Sequence, residues 1–226
     1  MAVHDGHRAR KKQQFLQHGL DAFAPHEVLE LLLFYAIPRV DTNPVAHRLI
    51  DRFGSLSGVF AASVEELTEV EGVGENAATL LSLVSASCRR AGLDAAKGAV
   101  ILNGNKRTGA FFLKLFQGLR EEHLYEACLD AKGKLLQCYK VADGSVDTVN
   151  INIRRIVENA LKCGASAVVL SHNHPSGVAL PSADDNATTL MVYDALRTVD
   201  IELVDHIIVA DDDFVSLRDN GLFPPR

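Results

Sequence analysis

The sequence predicts a chain in two parts: a small all-α domain over about residues 1–95, then an α+β or α/β domain over 101–226. Three observations predict this. Helical patterns with recognisable caps follow one another through the first ninety or so residues. After them, short apolar runs alternate with helical ones, the signature of strands packed against helices. The composition is that of a soluble globular protein, with 47% hydrophobic and 23% charged residues among 226, enough to build a core without disulfide staples.

The first half reads in order as follows. HRARKK (7–12) is the most basic cluster, either the solvated start of a helix or a contact for nucleic acid or a partner. PHEVLELLLFYAI (25–37) is a helix that Pro38 ends. HEVLE within it is not the HExxH zinc motif, because Glu30 stands where the second histidine would be. TNPVAHRLIDRFG (42–54) is a helix with Thr42 or Asn43 as cap, Pro44 in the first turn and Gly54 at its end. SVEELTEV (63–70) opens with a capping box, Ser63 and Glu66. EGVGENAATLLSLVSASCRRAG (71–92) follows, its GVG joining that helix to the last helix of this half, and LDAAKGAV (93–100) reads as a linker.

Gly72 and Gly74 permit a tight turn that aims backbone N–H groups outward. Residues 63–84 thereby resemble a helix-hairpin-helix motif, which implies contact between those N–H groups and a nucleic-acid phosphate. The local charge opposes that role. Glu65, Glu66, Glu69, Glu71 and Glu75 surround the turn, and no Lys or Arg lies between Arg52 and Arg89. Phosphate affinity comes largely from cations. A structural or protein-contact role is the favoured expectation for the hairpin.

In the second half, NKRTGAFFLKLFQGL (105–119) is an amphipathic helix. HLYEACLD and KLLQCYKVA are two strands joined by AKG as a hairpin. NIRRIVENALKCG is a helix ended by Gly164, ASAVVL a buried strand, SADDNATTLMVYDALRTVD a helix and IELVDHIIVA a strand. FVSLRDNGLF closes the chain.

Chemistry concentrates in SHNHPSGVALPSADD (171–185). His172 and His174 are two apart, so on extended backbone they point to one side. Pro175-Ser176-Gly177 forces a turn, which Asn173 and Ser176 are expected to hold by side-chain to backbone hydrogen bonds. Ser182 is a helix N-cap, and Asp185 falls in the first helical turn, where a carboxylate is favoured and can reach back toward the histidines. Two nitrogens and one oxygen with room for water is the composition of a catalytic zinc site. Asp184 is read as a solvated neighbour and His206 as a structural histidine near a strand start. Asp211, Asp212 and Asp213 are read as a turn, lacking the alternating ligands of a calcium loop.

The spacing His-x-His, seven residues, Ser, two residues, Asp is similar at every defined position to the signature of the MPN/JAMM metalloproteases. With the HNHPSG core and the helical hairpin in front, the chain resembles the RadC family from GHRARKKQQFLQHGLDAF to FVSLRDNGLF. The resemblance implies a mixed-sheet, cytidine deaminase-like C-terminal domain. It implies one Zn2+ per chain on His172, His174 and Asp185, an ion-activated water as nucleophile, and Ser182 steadying an oxyanion. It also implies a glutamate base early in the domain, for which Glu122 is the choice and Glu126 (otherwise an edge-strand surface charge) and Glu121 are the alternatives. The second strand, which carries an acid in many relatives, reads LLQCYKV here.

The expected activity is cleavage of a peptide or isopeptide bond in a protein or peptide substrate. The alternatives are a DNA-associated protein acting through the hairpin, in line with the family's traditional DNA repair label, and a non-catalytic protein-binding module. A net charge of −6 argues against non-specific nucleic-acid binding as the main task. Cys88, Cys128, Cys138 and Cys163 form no CxxC pair and are expected to be buried free thiols of a reducing cytosol. MAVHDGHRARKKQQ lacks the apolar stretch of a secretory signal, and no run is long enough to span a membrane, so a cytoplasmic location is expected.

Overall fold

The structure is a computed structural model, and it describes residues 3–144 and 152–223. The chain divides into two compact units, residues 1–89 and 90–226.

The first unit is helical: α1 (Val3–His18), α2 (Pro25–Ala36), α3 (Asn43–Phe53), α4 (Leu56–Ala61), α5 (Val64–Thr68) and most of α6 (Glu75–Ala96). Its core is Leu29 and Leu33 of α2, Val45 and Leu49 of α3, Val59 of α4 and Ala77, Ala78 and Leu81 of α6. The caps follow the sequence closely. Gly54 takes the left-handed conformation that ends α3, and Ser63 and Glu66 form the capping box of α5. Thr42 precedes α3 as expected, but its hydroxyl donates to the Glu30 carbonyl instead of capping, and Asp41 receives the Asn43 N–H. α4 was not foreseen; Ser55 caps it by accepting from the Gly58 N–H at 3.0 Å.

The α5–α6 turn has Gly72 at φ +91°, and a Cβ there would meet the Val45 side chain at 2.9 Å. Arg48 of α3 lies against this turn and donates to the Glu71 carbonyl at 2.9 Å. A cation therefore stands at the hairpin, supplied from an earlier helix where the local sequence has none.

The stretch read as a linker is ordered. Residues 93–96 complete α6, and the next residues bond to the sheet unit: Gly98 N–H to the Leu135 carbonyl, and the Leu135 N–H to the Val100 carbonyl. Buried apolar Ala96 and Leu102 anchor it.

The second unit holds α7 (Asn105–Phe116), β1 (His123–Leu129), β2 (Leu135–Asp143), α8 (Ile153–Lys162), β3 (Ala167–Asn173), α9 (Ala183–Arg197), β4 (Glu202–Ala210) and β5 (Asp213–Ser216). The short β5 lies in the closing segment that carried no assignment. The sheet order is β2-β1-β3-β4-β5, with β3 and β4 parallel and every other pair antiparallel. Strand alternation splits the apolar residues between two faces. Tyr125, Ala127, Val169, Ile207 and Val209 pack under α7. Leu124, Cys128, Val168, Leu170 and Leu203 pack under α8 and α9. The result is a three-layer helix–sheet–helix unit. Of the cysteines, Cys128 and Cys138 are buried and Cys163 half-buried, whereas Cys88 is exposed on α6, a correction to the expectation that all four are buried. Among the described residues no helix is long and apolar enough to cross a membrane.

Candidate metal centre

The site forms where the parallel strands β3 and β4 end. β3 buries Ser171, His172 and Asn173. One residue beyond it, the His174 N–H donates to the Val209 carbonyl of β4 at 2.7 Å and extends the ladder. The chain then turns, with the Gly177 N–H donating to the His174 carbonyl at 3.2 Å. Gly177 sits at φ +79°, and a Cβ there would lie 2.8 Å from Asp211 Oδ2, so a larger residue would be strained and would displace that side chain. Strand alternation sends both imidazoles to one side, with their Nε2 atoms 2.8 Å apart. His174 Nδ1 lies 3.0 Å from the Val178 carbonyl, which only accepts, so Nδ1 carries a proton.

α9 brings the carboxylate. Ser182 and Asp185 form a capping box. The Ser182 hydroxyl donates to Asp185 Oδ2 at 2.6 Å and accepts from the Asp185 N–H at 3.1 Å, while the Ser182 N–H donates to the same Oδ2 at 2.7 Å. The carboxylate so held lies 3.0 Å from His172 Nε2 through Oδ1 and 3.6 Å from His174 Nε2 through Oδ2. Burial acts to raise the Asp185 carboxyl, but the neighbouring His172 and His174 imidazoles outweigh it and hold the group well below the usual carboxylate range. The same contact with Asp185 raises the His174 imidazole above its ordinary value, with burial opposing.

Glu122 completes the group. It directly precedes β1, and its carboxylate lies with the His172 and His174 nitrogens in one cluster, every pair of atoms within 4.8 Å. Asn173, between the two histidines, holds this glutamate in place. Its Oδ1 accepts from the His123 N–H and its Nδ2 donates to the Glu121 carbonyl, each at 2.9 Å, one bond on either side of Glu122. The Gly144 N–H donates to the Glu122 carbonyl itself at 2.8 Å.

These donors suit a divalent ion. Ligands bound at about 2.0–2.1 Å to one tetrahedral zinc stand about 3.3 Å from one another. The separations of 2.8, 3.0 and 3.6 Å among His172, His174 and Asp185 bracket that spacing.

A family model, the RadC-like JAB domain, matches residues 102–222. UPF0758 protein FN0909 of Fusobacterium nucleatum subsp. nucleatum is 32% identical over 224 residues, 96% of this chain and 97% of that protein. The chain belongs to the RadC family. The JAB match in this RadC-family chain spans every residue of the cluster, and the similarity to the Fusobacterium protein runs through the helical unit as well.

Other residues singled out in the sequence lie elsewhere. Glu126 belongs to β1, which has β2 and β3 on its two sides, so it is not an edge-strand surface charge. It is fully buried, accepting from Asn159 Nδ2 at 2.9 Å, and burial pushes its carboxyl up to about 7. Glu121 and Asp184 are exposed, and Asp211 and Asp212 form the β4–β5 turn. β2 does carry an acid at its last residue, Asp143, but it pairs with His123 Nδ1 at 2.6 Å. His206 lies mid-strand in β4, fully buried, with Nε2 2.8 Å from His172 Nδ1 and Nδ1 2.7 Å from Thr189 Oγ1. Sequence spacing gives no sign of this contact, which joins residues on different elements. Beside His174 a cleft of about 670 Å³ opens, lined by Phe116, Leu119, Arg120, Pro175, Val209 and Asp212 among others.

Proposed function

We propose that this RadC-family chain is a zinc-dependent hydrolase that cleaves an amide bond in a protein or peptide. The observation that carries the reading is the convergence of His172, His174 and the carboxylates of Asp185 and Glu122 at one strand end. His172, His174 and Asp185 would hold the ion. Zinc bound there supplies Lewis acidity, polarising a carbonyl and making a water more acidic.

The chain's own residues do the rest. Glu122 is held at its backbone on both sides, leaving its carboxylate to take a proton from the attacking water and return it to the leaving amine. Ser182 fixes Asp185 through the capping box. To steady an oxyanion as well, its hydroxyl must turn from Asp185 toward the substrate.

Elemental mass spectrometry of wild-type protein, His174→Ala and Glu122→Gln, purified together, tests the reading. About one zinc per chain is expected in wild type and Glu122→Gln and little in His174→Ala, with peptide turnover only in wild type. A wild-type protein that takes up no offered zinc would overturn it in favour of a protein-binding module. Full turnover in Glu122→Gln would remove Glu122 as the base.

One observation favours a second reading, that the helical hairpin contacts DNA: Arg48 beside Gly72. Labelled branched DNA should then bind at low salt, lose affinity steeply as salt is added and lose part of it in Arg48→Ala. Absence of binding at low salt would end this reading.

A further inference from the structure

We propose that His206, braced by Thr189, is a positioning residue that fixes the ring of the ligand His172, turning Nδ1–H inward and presenting Nε2 to the ion. The inference deepens the zinc reading and rests on it.

The argument is one of proton accounting. Thr189 Oγ1 lies 2.6 Å from the backbone carbonyl oxygen of Asp185. Two oxygens at that distance need a proton between them, and a carbonyl has none to give. The Thr189 hydroxyl therefore donates there. It has a single proton, so toward His206 Nδ1, 2.7 Å away, it accepts, and His206 carries its proton on Nδ1. His206 Nε2 then offers a lone pair. His172 Nδ1, 2.8 Å from it, must be the donor. The reverse order would leave the Thr189 and Asp185 oxygens facing each other without a proton.

All three side chains lie in the interior, His172 and His206 fully buried and Thr189 nearly so, which keeps solvent from supplying an alternative partner. The series also closes on itself. It starts at the backbone of Asp185 and ends at His172, whose Nε2 faces the Asp185 carboxylate at 3.0 Å. One set of hydrogen bonds thus ties a ligand on β3 to a ligand on α9 through β4. Outer residues that orient a metal-binding imidazole in this way are worth about ten- to a hundredfold in metal affinity.

Long-range 1H–15N NMR of the metal-free full chain at mildly alkaline pH reads the protonation of each ring nitrogen directly. His172 is expected to show a protonated Nδ1, donating to His206; a bare Nδ1 would overturn the proposal. Competition against a chromophoric chelator then measures zinc affinity. His206→Leu should weaken zinc about ten- to a hundredfold. His206→Gln, whose amide oxygen can accept from Nδ1, should recover most of it. Thr189→Val should lose affinity and Thr189→Ser keep it, which preserves the test should His206→Leu fail to fold. Wild-type affinity in a folded His206→Leu, or equal losses in the Leu and Gln variants, would overturn the positioning role. A wild-type chain that binds no zinc would overturn the zinc reading and this inference with it. The tautomer pattern, measured without metal, would still distinguish a failed relay from a failed ion site.

Discussion

Asn173 stands between two candidate ligands and reaches away from both. Its amide spans the backbone on either side of Glu122, so the position of the acid depends on a side chain of the histidine strand. Asn173→Ala removes both bonds while leaving the imidazoles in place. Zinc content should be kept and peptide turnover should fall about tenfold or more, the scale on which outer-sphere positioning acts. Turnover and zinc content together check this, and unchanged turnover would show that Glu122 needs no such clamp. At this scale the geometry of the candidate site was legible where its residues lie in one continuous stretch. His172, His174, Ser182 and Asp185 were readable because strand alternation and a helix cap translate spacing into direction. Asn173, His206 and Thr189 act across elements, and spacing along a chain carries no record of which strand lies beside which. Glu122 was the favoured glutamate, yet only its approach to the histidines in space separates it from Glu126.

At the scale of elements, β1 was read one residue too long and with β2 rightly beside it, but as an edge strand on its other side. A strand with neighbours on both sides turns Glu126 from a surface charge into a buried carboxyl under α8. The sign of its effect follows from its pKa, about 7 in the folded chain against 4.5 for an ordinary glutamate. Between those values the folded state holds the proton more tightly than the unfolded state. Stability is therefore full below about pH 4.5, declines as pH rises through about 7, and is level above, a loss on the order of 3 kcal/mol. Glu126→Gln should remove that part of the slope and be the more stable chain at about pH 8. Urea midpoints of both proteins across this range check it; parallel slopes would refute it. The longer helices were legible from their periods, and caps such as Ser63 and Gly54 marked their ends. α4 and β5 were not, because six and four residues are too few to show a period.

At the scale of the molecule, the two-part plan was legible because each unit carries its own apolar set, one of helical period and one of strand period. The strand order was not, since β1 lies between β2 and β3 and no local signal ranks those pairings. That order has a consequence for the sequence of events in folding. Leu124 meets His172, and His172 meets Ile208, each across a long intervening loop that must close first. Glu122, His172, Asp185 and His206 therefore come together only after these slow, non-local pairings have formed. An ion cannot template an assembly that does not yet exist. Zinc should leave the refolding rate of the chain unchanged and slow its unfolding, which stopped-flow measurements with and without zinc would separate. Faster refolding with zinc would mean that the ligands gather early, ahead of the sheet. If they gather late, zinc would meet a finished receptor, and a chain deprived of zinc would still fold.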